Sequence, residues 1–325
     1  MKLGTELISG RMVDTYVMSA EDIAERIRTM EIRGAAEIAR RAAQALKEDV
    51  DSYPGQDLQG MRSRLEKGRD ALLASRPTAI SLWNGVQYVF KDTSKLITAE
   101  EYRTKVGENA DRFIRRSKNA LKTIGKLGAN RIREGDKVLT HCNSKAAIAV
   151  MAEAWAQGKR FEVYATESRP WRQGVLTAND LAKLGIPVTI IIDSAVRYVM
   201  KDIDLVLVGA DTIASNGAVI NKIGTSQVAL AAHEARVPFT VCAETFKFSP
   251  RTIYGELVKI EERDATEVVK EGEVPPQVRV FNPVFDATPP EYIDSIVTEI
   301  GVIPPYAAYQ VIIKELGQEF IFYED

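Results

Sequence analysis

Up to about residue 130 the apolar positions recur at helical spacing. Ser19-Ala20-Glu21-Asp22 reads as a capping box, and Ile23, Ile27, Met30 and Ile32 follow it on one face. Arg33-Gly34-Ala35-Ala36 opens a second helix with Ile38, Ala42, Ala45 and Leu46 on its apolar side. A polar stretch from Asp51 to Gly60, containing Pro54 and Gly55, separates it from a third helix over Leu65 to Leu73. Ser75-Arg76-Pro77-Thr78 stops that helix. Glu100 to Leu127 continues the pattern with Arg and Lys on its exposed side.

After Gly135-Asp136 the period shortens. Runs of β-branched and other apolar residues predict strands at Val138–His141, Glu162–Thr166, Val188–Asp193, Leu205–Val208, Phe239–Cys242 and Val278–Phe281. Helical stretches at Ala146–Gln157, Gln173–Leu184 and Ser226–Ala235 lie between several of them. Strand–helix alternation predicts an α/β fold, a mostly parallel sheet with helices on both faces. The expected organisation is an N-terminal helical domain over residues 1–130 and a Rossmann-like α/β domain over 131–325. Gly128, Gly135 and Asp136 break the pattern at the boundary. Ile303-Pro304-Pro305-Tyr306 begins a last helix, and Glu319-Phe320-Ile321-Phe322-Tyr323 suits a closing strand.

Composition narrows the class. The 325 residues are 45% hydrophobic and 27% charged, as in soluble globular proteins. A formal net charge of -2 lacks the basic footprint of nucleic-acid binding. No apolar run approaches the ~20 residues of a membrane span, and Met1-Lys2-Leu3-Gly4-Thr5-Glu6 lacks the apolar core of a secretory signal. Two cysteines make no disulfide framework. The expectation is a cytoplasmic protein with reduced thiols, bound neither to membranes nor to nucleic acid.

The candidate chemistry sits where predicted strands end. Cys142 closes one apolar run and Asp211 closes another, in Asp204-Leu205-Val206-Leu207-Val208-Gly209-Ala210-Asp211. In an open α/β sheet the carboxyl ends of strands form the ligand crevice, so a thiol and a carboxyl could meet there over one substrate. Further strand ends supply Thr166-Glu167-Ser168-Arg169-Pro170, Asn221-Lys222-Ile223-Gly224-Thr225 and Ala243-Glu244-Thr245-Phe246-Lys247. Helix N-termini near Ser144 and Lys145, with Arg169, Lys222 and Lys247, suit an anionic small molecule. Each residue alone has a bland reading. Cys142 could be a small buried hydrophobe, Asp211 a turn cap, and the lysines solvated charges. What favours a site is that they collect at one sheet edge. His141 and His233 lack metal-ligand spacing, so no metal is expected, and His141 reads as structural. Neither a dinucleotide glycine fingerprint nor a P-loop is present, and no cofactor is expected.

These stretches resemble the family that includes methylthioribose-1-phosphate isomerase and the regulatory subunits of translation initiation factor 2B. The resemblance runs in order through Arg33-Gly34-Ala35, Arg76-Pro77-Thr78, Thr140-His141-Cys142-Asn143-Ser144, Glu167-Ser168-Arg169-Pro170, Gly209-Ala210-Asp211, Asn221-Lys222-Ile223-Gly224-Thr225 and Glu244-Thr245-Phe246-Lys247-Phe248. It continues through Asn282-Pro283-Val284-Phe285-Asp286-Ala287-Thr288-Pro289-Pro290 and Gly301-Val302-Ile303-Pro304-Pro305. The regulatory subunits typically lack the cysteine and the aspartate, which points to an enzyme. Ser144-Lys145 replaces the Thr-Gly of the methylthioribose enzymes, and a lysine there suits a second phosphate. Within the family the chain therefore looks most like the archaeal ribose-1,5-bisphosphate isomerases.

The resemblance implies an aldose–ketose isomerisation that yields ribulose 1,5-bisphosphate in AMP and nucleotide salvage. It assigns C2 proton abstraction to Cys142 and proton donation to Asp211, chemistry that calls for a lowered thiol pKa and a raised carboxyl pKa. It assigns substrate binding to Arg33, Gly34, Ala35, Arg76, Ser144, Lys145, Ala146, Asn221, Lys222 and Lys247. A phosphorylated pentose would then sit between the domains. The resemblance also implies a homohexamer built as a trimer of dimers, and AMP as an activator to which no residue is assigned. The alternatives are a methylthioribose-1-phosphate isomerase, or a non-catalytic initiation factor 2B-like subunit that meets partners through apolar patches at Tyr88–Phe90 or Phe320–Tyr323.

Overall fold

The computed structural model describes residues 18–316 and, as backbone, a two-stranded antiparallel ribbon of β1 (Leu7–Ile8) and β2 (Arg11–Met12). The closing strand expected at 319–323, and the apolar patch with it, lie outside the described residues. The chain divides into two compact units, Met1–Pro77 with Gly85–Ile114, and Thr78–Asn84 with Arg115–Asp325.

The first unit is helical. It holds α1 (Ala20–Arg28), α2 (Ala35–Asp51), α3 (Leu58–Ser75), the later turns of α4 (Ile80–Phe90) and the first half of α5 (Ala99–Ala129). Ser19 caps α1 as a capping box: its Oγ accepts from the Asp22 backbone N–H at 3.2 Å, and its own N–H donates to Asp22 Oδ2 at 3.1 Å. Buried Asp49 on α2 ties three helices together. It accepts from the Ala20 N–H at 3.0 Å and pairs with Arg64 of α3 at 3.1 Å. The sequence pattern predicts no helix over α4, and the exposed patch expected at Tyr88–Phe90 is buried instead. Tyr88 is 9% exposed, Val89 0% and Phe90 8%, because α4 turns them inward; the Tyr88 ring lies 5.8 Å from that of Phe113.

The second unit is built on a seven-stranded sheet. Its strands are β3 (Lys137–Thr140), β4 (Glu162–Thr166), β5 (Val188–Ile191), β6 (Leu205–Val208), β9 (Phe239–Cys242), β11 (Ser295–Thr298) and β12 (Gly301–Ile303), in the spatial order β12-β11-β9-β6-β3-β4-β5. All neighbours are parallel except the β11–β12 pair. Helices α6 (Lys145–Ala156), α7 (Gln173–Ala182), the short α8 (Val196–Val199) and α9 (Thr225–Ala235) return the chain between parallel strands. A second sheet, ordered β10-β8-β7, is antiparallel and joins β7 (Thr212–Ile213), β8 (Val219–Lys222) and β10 (Phe285–Thr288). A short α10 (Ala308–Val311) closes the described chain. Val138, Val163, Leu205, Leu207, Cys242 and Val297 share one buried cluster with Ile124 of α5, Val150 and Met151 of α6, and Leu181 of α7.

One expected strand is absent. Val278–Phe281 forms no strand, and Phe281 is 73% exposed on a segment flanked by Pro275-Pro276 and Pro283. The sixth parallel strand is Ser295–Thr298, fully buried beside β9. A chain rich in proline offers no continuous donor row to a neighbour, whereas Ser295-Ile296-Val297-Thr298 does.

Candidate active site

Reading outward from β3, the chain adds β4 and β5 on one side, then crosses to lay β6, β9 and β11 on the other. The order therefore reverses between β3 and β6, and the crevice outside such a reversal is where open α/β sheets bind ligands. β3 leads into Cys142 and β6 into Asp211. The two strand ends touch: a β-carbon on Gly209 would lie 2.4 Å from the Ser144 Oγ, so only glycine fits. Ser144 is in turn the N-cap of α6, its Oγ accepting from the Ala147 N–H at 3.3 Å.

Cys142 sits at φ 69°, in the left-handed region that few side chains adopt. Both its backbone groups are held by side chains. Its N–H donates to Ser168 Oγ at 2.7 Å, and its carbonyl accepts from Thr177 Oγ1 at 2.7 Å. Asn143 Nδ2 donates to the same threonine oxygen at 2.9 Å. The thiol faces α7, with Sγ 3.4 Å from Gln173 Oε1. α7 can approach so closely because Gly174 lies against the end of β4, where a β-carbon would fall 1.6 Å from the Thr166 carbonyl oxygen.

Burial pushes the Cys142 thiol up to about 11, opposite in direction to the lowered value expected from the chemistry. The charges of Lys222 and Lys247 pull it down, while that of Asp211 pushes it further up. Cys142 thus feels the charges of Asp211, Lys222 and Lys247. Burial lowers the pKa of Lys222, and Cys142 and Asp211 oppose the effect. Its Nζ rests 5.3 Å from the centre of the Phe285 ring. Lys247 Nζ donates to the Ala210 carbonyl at 2.7 Å, directly before Asp211, and faces buried Glu244 at 3.5 Å. Asn221 Nδ2 donates to Thr225 Oγ1 at 3.0 Å.

His141 joins three of these loops. Its Nε2 donates to the Ile223 carbonyl at 2.8 Å, which leaves Nδ1 to accept from Thr166 Oγ1 at 2.6 Å. Burial lowers its pKa, favouring the neutral ring this arrangement requires. The N-terminus of α9 is already occupied by the Asp286 carboxylate, which accepts from the Gly224 N–H at 2.7 Å and the Ser226 N–H at 3.2 Å. Burial holds this carboxyl up at about 6.

The remaining expected site residues lie at the start of α6 and in the first unit. Lys145 opens α6 with a 64% exposed side chain, and its Nζ pairs with Asp180 of α7 at 2.7 Å. Ala146, beside it, is buried. Arg33, Gly34, Ala35 and Arg76 belong to the first unit, where Gly34 is the N-cap of α2, Arg33 Nε donates to the Met30 carbonyl at 2.6 Å, and Arg76 ends α3. Sequence reasoning missed Gln173, Thr177 and Asn84. Buried Asn84 of α4 donates from Nδ2 to the Phe246 and Phe248 carbonyls at 2.7 and 2.9 Å, holding the turn that carries Lys247. Only the Gln-Gly pair opening a helix after Arg169-Pro170 hinted at Gln173. Among the described residues no group of His, Cys, Asp and Glu could hold a metal ion, and no helix is long and apolar enough to cross a membrane.

Residues 31–305 match the model of the initiation factor 2 subunit family. A protein of Archaeoglobus fulgidus named ribose 1,5-bisphosphate isomerase is 52% identical over 296 residues, covering 91% of this chain and 93% of its own. One of the same name from Methanocaldococcus jannaschii is 49% identical over 306 residues, covering 93% and 98%. Among solved structures, the translation initiation factor eIF-2B of Pyrococcus horikoshii superposes with a TM-score of 0.76 at 30% identity, covering 88% of this chain and 97% of that one.

Proposed function

The chain belongs to the initiation factor 2 subunit family, and within it we propose that the protein is an aldose–ketose isomerase converting ribose 1,5-bisphosphate to ribulose 1,5-bisphosphate. The observation that carries this reading is the contact between the turn after Cys142 and the strand end before Asp211 at the reversal point of the sheet, with Lys247 on the Ala210 carbonyl and the charge of Lys222 acting on the thiol. Near-full-length relatives bearing that enzyme name support it.

The anomeric oxygen of this sugar is phosphorylated, so the ring cannot open to a free aldehyde. The C2 proton must leave while the ring C–O bond breaks. In the proposed course the Cys142 thiolate takes that proton, a double bond forms between C1 and C2, and protonated Asp211 donates to the departing ring oxygen. The enol then returns its hydroxyl proton to Asp211 while the Cys142 thiol protonates C1, which leaves the C2 ketone. In the free site the thiol titrates at about 11, raised by burial and by the charge of Asp211. A protonated Asp211 no longer opposes the thiolate, while Lys222 and Lys247 still favour it. The two proton positions are thereby linked. Asn221, Lys222, Lys247, the Ser144-Lys145-Ala146 turn and, from the first unit, Arg33, Gly34, Ala35 and Arg76 are proposed to bind the phosphates.

The deciding experiment supplies purified protein with ribose 1,5-bisphosphate and, separately, methylthioribose 1-phosphate, and follows ketose formation. Turnover of the bisphosphate supports the reading, whereas turnover of the methylthio sugar alone replaces it. A cytoplasmic homohexamer activated by AMP belongs to the same proposal. Light scattering reads the mass, and an AMP titration of the rate reads the activation.

A further inference from the structure

Between Gly255 and Pro283 the chain forms no strand and only one short 3-10 turn, Ala265–Glu267. Irregular segments of this length inside a compact unit usually serve function. Its two ends are pinned side by side. The Val284 N–H donates to the Glu261 carbonyl at 2.9 Å, and the Arg263 N–H donates to the Asn282 carbonyl at 3.0 Å. Residues 261–263 therefore run beside the lead-in to β10, whose Phe285 is the register partner of Lys222. The segment meets the loop between β4 and α7 at two points, one of them through Arg263 itself. Arg169 Nη2 donates to the Val268 carbonyl at 3.2 Å, and the Arg263 guanidinium lies 5.9 Å from the centre of the Trp171 ring. That loop holds the Cys142 N–H through Ser168 and leads into Gln173 at the start of α7, beside the thiol.

Arg263 is an unusual residue to find there. Its side chain is only 15% exposed, and Nε donates to Glu261 Oε1 at 2.7 Å. A guanidinium has five N–H donors in a planar fork suited to phosphate oxygens, far more than one carboxylate oxygen satisfies. Lys222 feels both members of the pair, Arg263 disfavouring its charge and Glu261 supporting it. Two partly buried cations that repel one another are stabilised by an anion that both can reach.

We propose that Arg263 is a further anion-binding residue of the site, joining Lys222 on one phosphoryl group of the sugar substrate, with Glu261 as the counter-ion it leaves to do so. The inference rests on the isomerase reading for its substrate, and on the placement of the 261–263 stretch for its geometry. It makes the 255–283 segment part of the phosphate site.

The test measures KM for ribose 1,5-bisphosphate and, by calorimetry, the affinity for inorganic phosphate in the parent, Arg263→Met, Arg263→Lys and Glu261→Gln. Losing a charge-assisted contact should raise both constants about ten- to a hundredfold in Arg263→Met. Arg263→Lys should recover only part of the loss, since it keeps the charge without the fork. Glu261→Gln, which releases the guanidinium, should bind phosphate more tightly than the parent. A merely structural Arg263 would lower thermal stability in Arg263→Met and leave phosphate affinity unchanged, and that result overturns the proposal. If the parent protein fails to isomerise the sugar, the function reading fails, while the phosphate titrations still decide the role of Arg263.

Discussion

Ser144 and Gly209 are in contact across the point where the sheet order reverses, leaving no room for a β-carbon on Gly209 beside the Ser144 Oγ. Through this contact the α6 N-cap after Cys142 and the strand end before Asp211 set each other's position. Gly209→Ala should force them apart. Overpacking of this kind costs about 1–3 kcal/mol, and isomerase activity should fall more steeply than the thermal midpoint suggests. Normal turnover with an unchanged midpoint would show that the contact positions nothing.

Cys142→Ser and Asp211→Asn each remove one proton-transfer group. Such groups contribute about 10² to 10⁴ in rate, so turnover should drop by that order while substrate still binds in calorimetry. Either variant working at the parental rate would refute the assigned chemistry.

Thiol reactivity tests the electrostatics directly. Cys242 is fully buried with its thiol up at about 12, so alkylation should report Cys142. In the substrate-free protein the rate with iodoacetamide should keep climbing with pH up to about 11. Asp211→Asn should shift that profile to lower pH, and Lys222→Met or Lys247→Met to higher pH. Opposite displacements would contradict the arrangement of charges.

Asp286 predicts a pH-dependent stability. Its carboxyl titrates at about 6 when folded and at about 4 when unfolded. Between these values the folded state binds more protons, so stability from this group falls as pH rises from about 4 to 6 and stays reduced above that. Two units correspond to at most about 3 kcal/mol, less whatever solvent screening removes. Urea denaturation across this range should show a shallower decline in Asp286→Asn; an identical slope would exclude the effect.

Lys145 offers a test of substrate choice separate from stability. Its ion pair with Asp180 is exposed, and such pairs contribute about 0–1 kcal/mol, so Lys145→Ala should melt close to the parent. If Lys145 meets a second phosphate, KM should rise far more for the bisphosphate than for a monophosphate. Equal rises would remove it from the phosphate site.

Much of this architecture is visible along the chain. The capping box at Ser19, the buried β-branched runs of β3, β4, β6 and β9, and the polar clusters at their ends each depend on neighbours within a few residues. Local periodicity therefore reveals them. The same logic failed at Val278–Phe281 and missed Ser295–Thr298, because whether an extended segment becomes a strand depends on a partner row far away in sequence. It failed at Tyr88–Phe90 for a related reason, since a helix buried on several faces carries no clear stripe.

Cys142 and Asp211 could be singled out from residue type and position at strand ends. That they follow neighbouring strand ends is decided by the crossover that places β6 beside β3, a long-range pairing no local pattern encodes. Gln173, Thr177 and Asn84 were hidden for the same reason: their side chains matter through contacts made across the fold. The direction of the Cys142 shift also needed the packed site. Residue types announced the lysines that favour a thiolate, but the burial that outweighs them exists only once the chain has closed around the thiol.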